Sequence, residues 1–276
     1  MNPLGAYDLA FVDLDGTLLS PDKTVSPANL RALDRLRGAG VQVVAASGRH
    51  HANIAAFREI GQSGWTLSSH GAVVRHQRTD EWLLEMAMAP ERVAEIAARG
   101  RELGMTLIAY HRDGAYIERE SEWTDLYASQ SGWKPRIADF RSLPADGFQK
   151  VIWSEGAERI AAVAPDIQRE FQGRAHAVVT DPELLEFLAP AANKAVGARA
   201  LTEKLGVAPA RTLAFGDGNN DVELLRWAGF SVAMNHGRES ARKAARFVSP
   251  PGPEESAFAR AVNLALSTRE GSRKYF

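Results

Sequence analysis

Two aspartates, Asp13 and Asp15, stand one residue apart at the end of an apolar run, Leu9 to Val12, and are followed by Gly16 and Thr17. A carboxylate pair at the end of a buried strand is costly. Two unit charges about 4 Å apart repel by about 4 kcal/mol at an effective dielectric near 20. A bound cation removes that cost and holds both groups ready for chemistry. Gly16 allows a turn or close approach to a ligand, and Thr17 offers a hydroxyl and a backbone N–H. Other polar residues recur in the same setting: Ser47-Gly48-Arg49 after the run Val41 to Ala46, and Asp217 with Asp221 after Thr212 to Phe215. Lys194 opens a helical stretch. Each feature has an ordinary explanation when taken singly: an Asp-Gly turn, a serine N-cap, a solvated lysine, a cap and first-turn acid. Their joint occurrence points to phosphate and metal chemistry.

The elements that must position these residues have a regular rhythm. Leu9 to Val12 is a short buried strand, and Ser20 to Lys23 is a turn or flap. Ser26-Pro27 is an N-cap followed by proline at the first helical position. Leu30, Leu33, Leu36 and Ala39 follow at helical spacing, closed by Gly38 and Gly40. Val41 to Ala46 is β-branched and apolar, as a buried parallel strand should be. This strand–helix–strand unit places its ligands beyond the carboxyl ends of the strands. A helix over Ala52 to Ile60 and a strand over Trp65 to Ser69 continue the pattern, with His70-Gly71-Ala72 next. Charges interrupt it near Arg75 to Glu81, where a domain boundary is placed.

Residues 81–189 have a different rhythm: helices at Pro90 to Leu103, Ser121 to Gln130 and Ala157 to Phe171, a strand at Gln149 to Trp153, and two hairpins. The first hairpin joins Met105 to His111 with Ala115 to Glu118; the second joins Ala175 to Thr180 with Leu184 to Leu188. This predicts an α+β unit. From Pro190 the first rhythm resumes: helices at Asn193 to Leu205, Val222 to Ala228, Arg238 to Ala245 and Glu254 to Leu266, strands at Thr212 to Phe215, Ser231 to Met234 and Phe247-Val248, and a frayed tail from Thr268. The expected fold is therefore α/β: a Rossmann-like parallel-sheet core from residues 1–80 and 190–276, interrupted by an inserted α+β cap at 81–189.

The totals bound the function. The chain has 276 residues, 33 Lys and Arg against 34 Asp and Glu, and no cysteine. A near-neutral balance advertises neither nucleic acid nor an anionic membrane as partner. The absence of cysteine excludes disulfides and thiolate metal sites. Met1 to Ala10 lacks the basic and apolar regions of a secretory leader, and no run approaches the ~20 apolar residues of a membrane span. The expectation is a cytoplasmic protein, a monomer or homodimer.

The constellation resembles the haloacid dehalogenase-like superfamily of phosphotransferases. Asp13-Leu14-Asp15-Gly16-Thr17 is similar to its first motif and Ala46-Ser47-Gly48-Arg49 to its second. Asn193-Lys194 is similar to its third motif, and Gly216-Asp217-Gly218-Asn219-Asn220-Asp221 to its fourth. The long insertion between the second and third motifs resembles the cap of the Cof-type subgroup, largely sugar-phosphate and related phosphatases. The resemblance implies Asp13 as nucleophile, Asp15 as acid and base, and Ser47, Gly48, Arg49 and Lys194 around the phosphoryl group of a small phosphorylated substrate. It also implies Mg²⁺ held by Asp13, the Asp15 carbonyl and Asp217, with Asp221 direct or through water. Thr17 and Asn220 would support that shell. An aspartate at 15 favours P–O cleavage, because departing halide needs no acid. A phosphomutase and a catalytically silent phosphate-binding regulator are the alternatives.

Some positions depart from the pattern. His70-Gly71-Ala72 stands where the subgroup usually has Asn-Gly-Ala, and Asn235-His236-Gly237 where Gly-Asn-Ala is usual. His50-His51 looks like a metal pair, but adjacent side chains on a helix point apart. Tyr110, His111, Arg112, Trp123, Trp133, Trp153 and His176 are available to line the cap's inner face, though core packing accounts for most of them.

Overall fold

The computed structural model describes residues 7–54, 60 and 63–272. The chain begins β1 (Leu9–Val12), α1 (Pro27–Gly38), β2 (Gln42–Ala46), α2 (His51–Ile54), β3 (Trp65–Ser68), β4 (Val73–His76) and β5 (Trp82–Glu85). The insertion follows: α3 (Pro90–Glu102), β6 (Thr106–His111), β7 (Gly114–Ile117), α4 (Glu122–Ser131), β8 (Arg136–Ile137), β9 (Phe148–Ser154), α5 (Ala157–Glu170), β10 (His176–Val179) and β11 (Leu184–Leu188). The chain then returns through α6 (Lys194–Leu205), β12 (Thr212–Gly216), α7 (Val222–Trp227), β13 (Phe230–Ala233), α8 (Glu239–Ala244), β14 (Phe247–Val248) and α9 (Ala257–Ser272).

The first sheet has the order β14-β13-β12-β1-β2-β3-β4-β5. It is parallel from β14 to β3, and β4 and β5 add an antiparallel edge. Alternation in β1 feeds both faces. Ala10 and Val12 join the layer of α1 and α9 through Leu33, Leu36, Phe258 and Val262. Leu9 and Phe11 join the layer of α6 and α7 through Leu201, Leu224 and Leu225. Helices on both faces explain why these strands read as continuous apolar runs. The Ser26 hydroxyl caps α1 by accepting from the Asn29 N–H at 3.2 Å.

The second sheet, β10-β11-β9-β6-β7-β8, is antiparallel apart from the β7–β8 pair. One face packs on α3 and α5 through Val93, Ile96, Trp153, Ile160 and Phe171. The other carries Ile108, Tyr110, Ile117 and Ile152, with Tyr127 of α4 beside them. Among the described residues, no helix is long and apolar enough to cross a membrane.

Three local expectations change. The charged stretch at 75–81 is the end of β4 and the turn into β5, which pairs with it (Val74 opposite Leu84), and the chain leaves that sheet only after Glu85. Polar residues at that position reflect an edge hairpin. The closing helix is continuous to Ser272, so the frayed tail does not begin at Thr268. The helix over Ala52 to Ile60 is seen as His51–Ile54; residues 55–59 lie outside the described residues.

Candidate active site

Parallel register assembles the site. Val12 pairs with Ala45 of β2 on one side and Phe215 of β12 on the other. The next residues, Asp13, Ala46-Ser47 and Gly216-Asp217, therefore leave the sheet at one edge, with neighbouring strands about 4.8 Å apart. The Asp13 N–H donates to the Phe215 carbonyl at 3.0 Å, continuing the ladder one residue beyond β1.

Asp13, Asp217 and Asp221 each place a carboxylate oxygen within 4.8 Å of the others. Lys194, fully buried at the first position of α6, donates to Asp13 Oδ1 at 2.6 Å and to Asp221 Oδ1 at 2.6 Å. The Asn193 side chain caps α6 by accepting from the Val196 N–H at 3.0 Å, which fixes where that lysine begins. Asp221 Oδ2 accepts from the backbone N–H groups of Asp217 at 3.0 Å and Gly218 at 2.9 Å. Both Asp221 oxygens are thus engaged, so this carboxylate braces the loop. The Thr17 hydroxyl donates to Asp217 Oδ1 at 2.8 Å. Gly16 has φ +77°, and a Cβ there would lie 2.4 Å from Asp217 Oδ2; only glycine admits that approach.

One ammonium faces three acids. Burial, followed by repulsion from Asp221, raises the Asp217 carboxyl to about 6. Burial likewise lifts Asp13 well above the usual carboxylate range, against the opposing pull of Lys194. A nest of hard oxygen donors with excess negative charge fits a small divalent cation such as Mg²⁺. The Asp15 carboxylate is not part of it. It turns to Arg49, whose Nε and Nη2 each donate at 2.7 Å, and to Lys23 Nζ at 2.9 Å. Burial alone would raise Asp15, but the Arg49 and Lys23 hydrogen bonds and charges outweigh it and hold the carboxyl below its ordinary value.

Asp13, Asp15, Ser47, Gly48, Arg49 and Asp217 line one cleft of about 260 Å³, roofed by the second sheet and α4. Lys194 sits beneath its floor. The Ser47 hydroxyl accepts from the Arg49 N–H at 3.2 Å. Several bonds hold the roof down. Arg49 Nη1 donates to the Ser131 carbonyl at 2.7 Å, and Lys150 Nζ donates to the Gly48 carbonyl at 2.9 Å. Asn219 Nδ2 donates to the Val179 carbonyl at 2.8 Å.

His70 is part of this closure. It sits at φ 53°, a left-handed conformation that histidine tolerates better than most residues. Asn220 Nδ2 donates to its Nδ1 at 2.9 Å, so Nε2 carries the proton and donates to Glu186 Oε2. Burial holds the ring near a pKa of about 4, neutral. Glu186 also receives Lys150 Nζ at 2.7 Å, and Lys150 stands 4.3 Å above the Tyr110 ring. Burial alone would raise Glu186, but Lys150 and His70 bring it down to about 2.

Sequence reading passed over Lys23, Lys150, Glu186, Tyr127, Thr180 and Asp181. A signal existed for two of them: Lys150 and Glu186 interrupt apolar strands, and in adjacent antiparallel strands they share a face, since Glu186 is opposite Ile152. Of the residues weighed for the inner face, Tyr110 lines the cleft, while Trp153 is buried against α3 and α5. The His50 and His51 rings do not point apart; their centroids are 3.9 Å from each other, because His50 precedes the helix. His50 Nε2 donates to the His111 carbonyl at 2.8 Å and its Nδ1 accepts from the Ala52 N–H at 3.1 Å, so it has no lone pair for a metal. His236 Nε2 donates to the Gly16 carbonyl at 2.8 Å, tying the departing loop to the first motif.

A profile described as haloacid dehalogenase-like hydrolase matches residues 10–262. An HMP-PP phosphatase of Serratia proteamaculans is 29% identical over 241 residues, 83% of this chain and 84% of that protein. The crystal structure of a haloacid dehalogenase-like hydrolase from Bacteroides thetaiotaomicron superposes with a TM-score of 0.80 at 25% identity, covering 94% of this chain and 99% of that one. The subclass IIB sugar phosphatase BT4131 has the same fold, with a TM-score of 0.80 at 21% identity and the same coverage, 94% and 99%.

Proposed function

The chain belongs to the haloacid dehalogenase-like hydrolases, and on that premise we propose that it is a Mg²⁺-dependent phosphatase of a small phosphorylated metabolite, working through an aspartyl-phosphate. The observation that carries this reading is the Asp13–Asp217–Asp221 nest around the Lys194 ammonium, at the floor of a cleft whose rim holds Asp15 between Arg49 and Lys23.

An Asp13 carboxylate oxygen attacks phosphorus, and the bond to the leaving oxygen breaks. Asp15 gives that oxygen its proton; it then takes a proton from the water that splits the acyl phosphate, releasing inorganic phosphate and restoring Asp13. Lys194 orients the nucleophile, and Ser47, the Gly48 N–H and Arg49 surround the phosphoryl oxygens. Without substrate, Arg49 and Lys23 keep Asp15 ionised. An arriving phosphoryl group competes for those cations, and Asp15, released from them at the half-buried rim and covered by the bound substrate, can hold a proton. Asp13, the Asp15 carbonyl and Asp217 would hold Mg²⁺, with Asp221 behind them; when bound, the ion supplies positive charge against the phosphoryl oxygens. The core comprises 1–80 and 190–276 with β5 added, and the insertion is the cap that sets specificity.

Two substrate classes have support: sugar phosphates, from the fold shared with a sugar phosphatase, and HMP-PP, from the named relatives. Phosphate release from a panel containing both, with Mg²⁺ and with EDTA, tests the reading. Release that persists in Asp13→Asn, or that is the same with and without metal, overturns it.

A further inference from the structure

The roof of the cleft contains polar side chains whose hydrogen bonds are already made. The Tyr110 and Tyr127 hydroxyls bond each other, the Ser131 hydroxyl donates to the Trp133 carbonyl at 3.1 Å, and Lys150 is held by Glu186 and Gly48. Three others have no side-chain hydrogen bond among the described residues. The Thr180 hydroxyl is buried without a partner. The Asp181 carboxylate and the Gln130 amide line the same cleft and likewise have none. A buried hydroxyl left without a partner is destabilising, and this one lies in the wall of a cleft where an occupant can supply the missing bond.

The backbone that carries these groups is fixed by hydrogen bonds. The turn bearing Thr180 and Asp181 is closed by the Leu184 N–H donating to the Asp181 carbonyl at 3.0 Å and the Thr180 N–H donating to the Leu184 carbonyl at 3.3 Å. Asn219 anchors the preceding Val179 to the loop that carries Asp217. Gln130 reaches the cleft from the end of α4, whose Ser131 carbonyl binds Arg49. Opposite lies the acid Asp15. Asp181 is exposed at the mouth of the cleft; desolvation by the cleft walls, then the charges of Glu186 and Asp15, push its carboxyl above its ordinary range, against the opposing pull of Lys23 and Arg238. Leu184 adds an apolar wall.

We propose that Gln130, Thr180 and Asp181 form the leaving-group subsite, and that it takes a group whose far end bears hydroxyl or amino hydrogens and no negative charge. Lys23, Arg49 and Lys150 line the same cleft but are bound to Asp15 and Glu186, so the Asp181 carboxylate, which has no ion pair among the described residues, rewards a donor and repels an anion, while Thr180 and Gln130 each offer both a donor and an acceptor. Leu184 covers the carbon face of such a group. This assignment rests on the phosphatase reading above and deepens it.

The test compares kcat/KM for a polyol phosphate, an amino-sugar phosphate, a phosphorylated hydroxy acid and an aryl phosphate, in the wild type and in Asp181→Ala, Thr180→Val and Gln130→Ala. The wild type is expected to prefer the polyol or amino-sugar phosphate to the hydroxy acid. Asp181→Ala should lower kcat/KM for the preferred substrate at least about tenfold more than for the aryl phosphate, and should improve the hydroxy acid. A wild type that favours the hydroxy acid overturns the proposal, as do variants that keep the wild-type ratio of preferred substrate to aryl phosphate. If even the aryl phosphate releases no phosphate in the wild type, the phosphatase reading itself has failed.

Discussion

Lys194 Nζ stands 2.6 Å from Asp13 Oδ1, with both side chains almost wholly removed from solvent. The same ammonium binds Asp221 at 2.6 Å, so a single cation joins the strand end, the helix start and the acidic loop. Its removal leaves buried carboxylates without their counter-charge. Lys194→Met should therefore cost about 3–5 kcal/mol in denaturant unfolding without metal, and should lower phosphate release by roughly 10²–10³-fold in kcat with Mg²⁺. A variant as stable as the wild type would show that the lysine is not what holds the nest together.

The same charge excess predicts a metal effect readable without any substrate. Mg²⁺ should raise the melting temperature, because an ion that binds only the folded chain stabilises it by about 2.7 kcal/mol at 100 times its Kd. Asp217→Asn removes a proposed ligand and one negative charge from the nest, so most of that shift should disappear. Asp15→Asn, whose carboxylate faces Arg49 and Lys23, should leave most of it in place. Differential scanning calorimetry with and without EDTA checks both.

Asp15 can be separated from Asp13 by leaving group. If Asp15 supplies a proton, Asp15→Asn should depress kcat on alkyl phosphates by about 10²–10⁴-fold, and by much less on an aryl phosphate whose phenolate departs unprotonated. Equal losses on both would assign Asp15 to binding rather than proton transfer.

Much of this arrangement is legible in the sequence because its causes are local. Asp13 and Asp15 follow an apolar run directly; Ser26 and Pro27 announce α1; Asn193 announces the helix that begins with Lys194. Parallel register then brings together ends that already look alike. What was hidden depends on partners far along the chain. Glu186 meets His70 across 116 positions, and Lys150 meets Gly48 across 102. A charge within an apolar strand signals a buried partner without naming it. The β4–β5 hairpin is hard to read for a related reason: β5 is half-exposed along its whole length at the sheet edge, and in β4 only Val73 and Val74 are buried.

Glu186 and Lys150 both belong to the insertion, but each reaches the floor of the cleft, one at His70 and the other at the Gly48 carbonyl. Glu186→Ala would leave Lys150 buried without its carboxylate. The roof should loosen, seen as faster limited proteolysis of residues 86–192, and kcat/KM should fall by roughly 10–10²-fold through misplacement of the roof. Glu186→Gln keeps a hydrogen-bond acceptor for His70 and should be milder.

Acid should destabilise the protein through His50 and His51. Burial, then the neighbouring charge of His51, lowers His50 from 6.5 to about 3; burial, then Arg75, lowers His51 from 6.5 to about 4. Both folded values lie below the unfolded one, so between pH 6.5 and about 4 the unfolded chain binds protons that the folded chain refuses. The stability held with both rings neutral is complete above pH 6.5 and is lost as the pH falls through that window, on the order of 2–3 kcal/mol per ring. His50→Gln keeps a donor for the His111 carbonyl and removes one of the titrating rings. Its denaturant midpoint should therefore decline less steeply than that of the wild type between pH 6.5 and 4. Parallel declines would mean that other groups govern the acid limb, and that the contact between the two rings has no part in it.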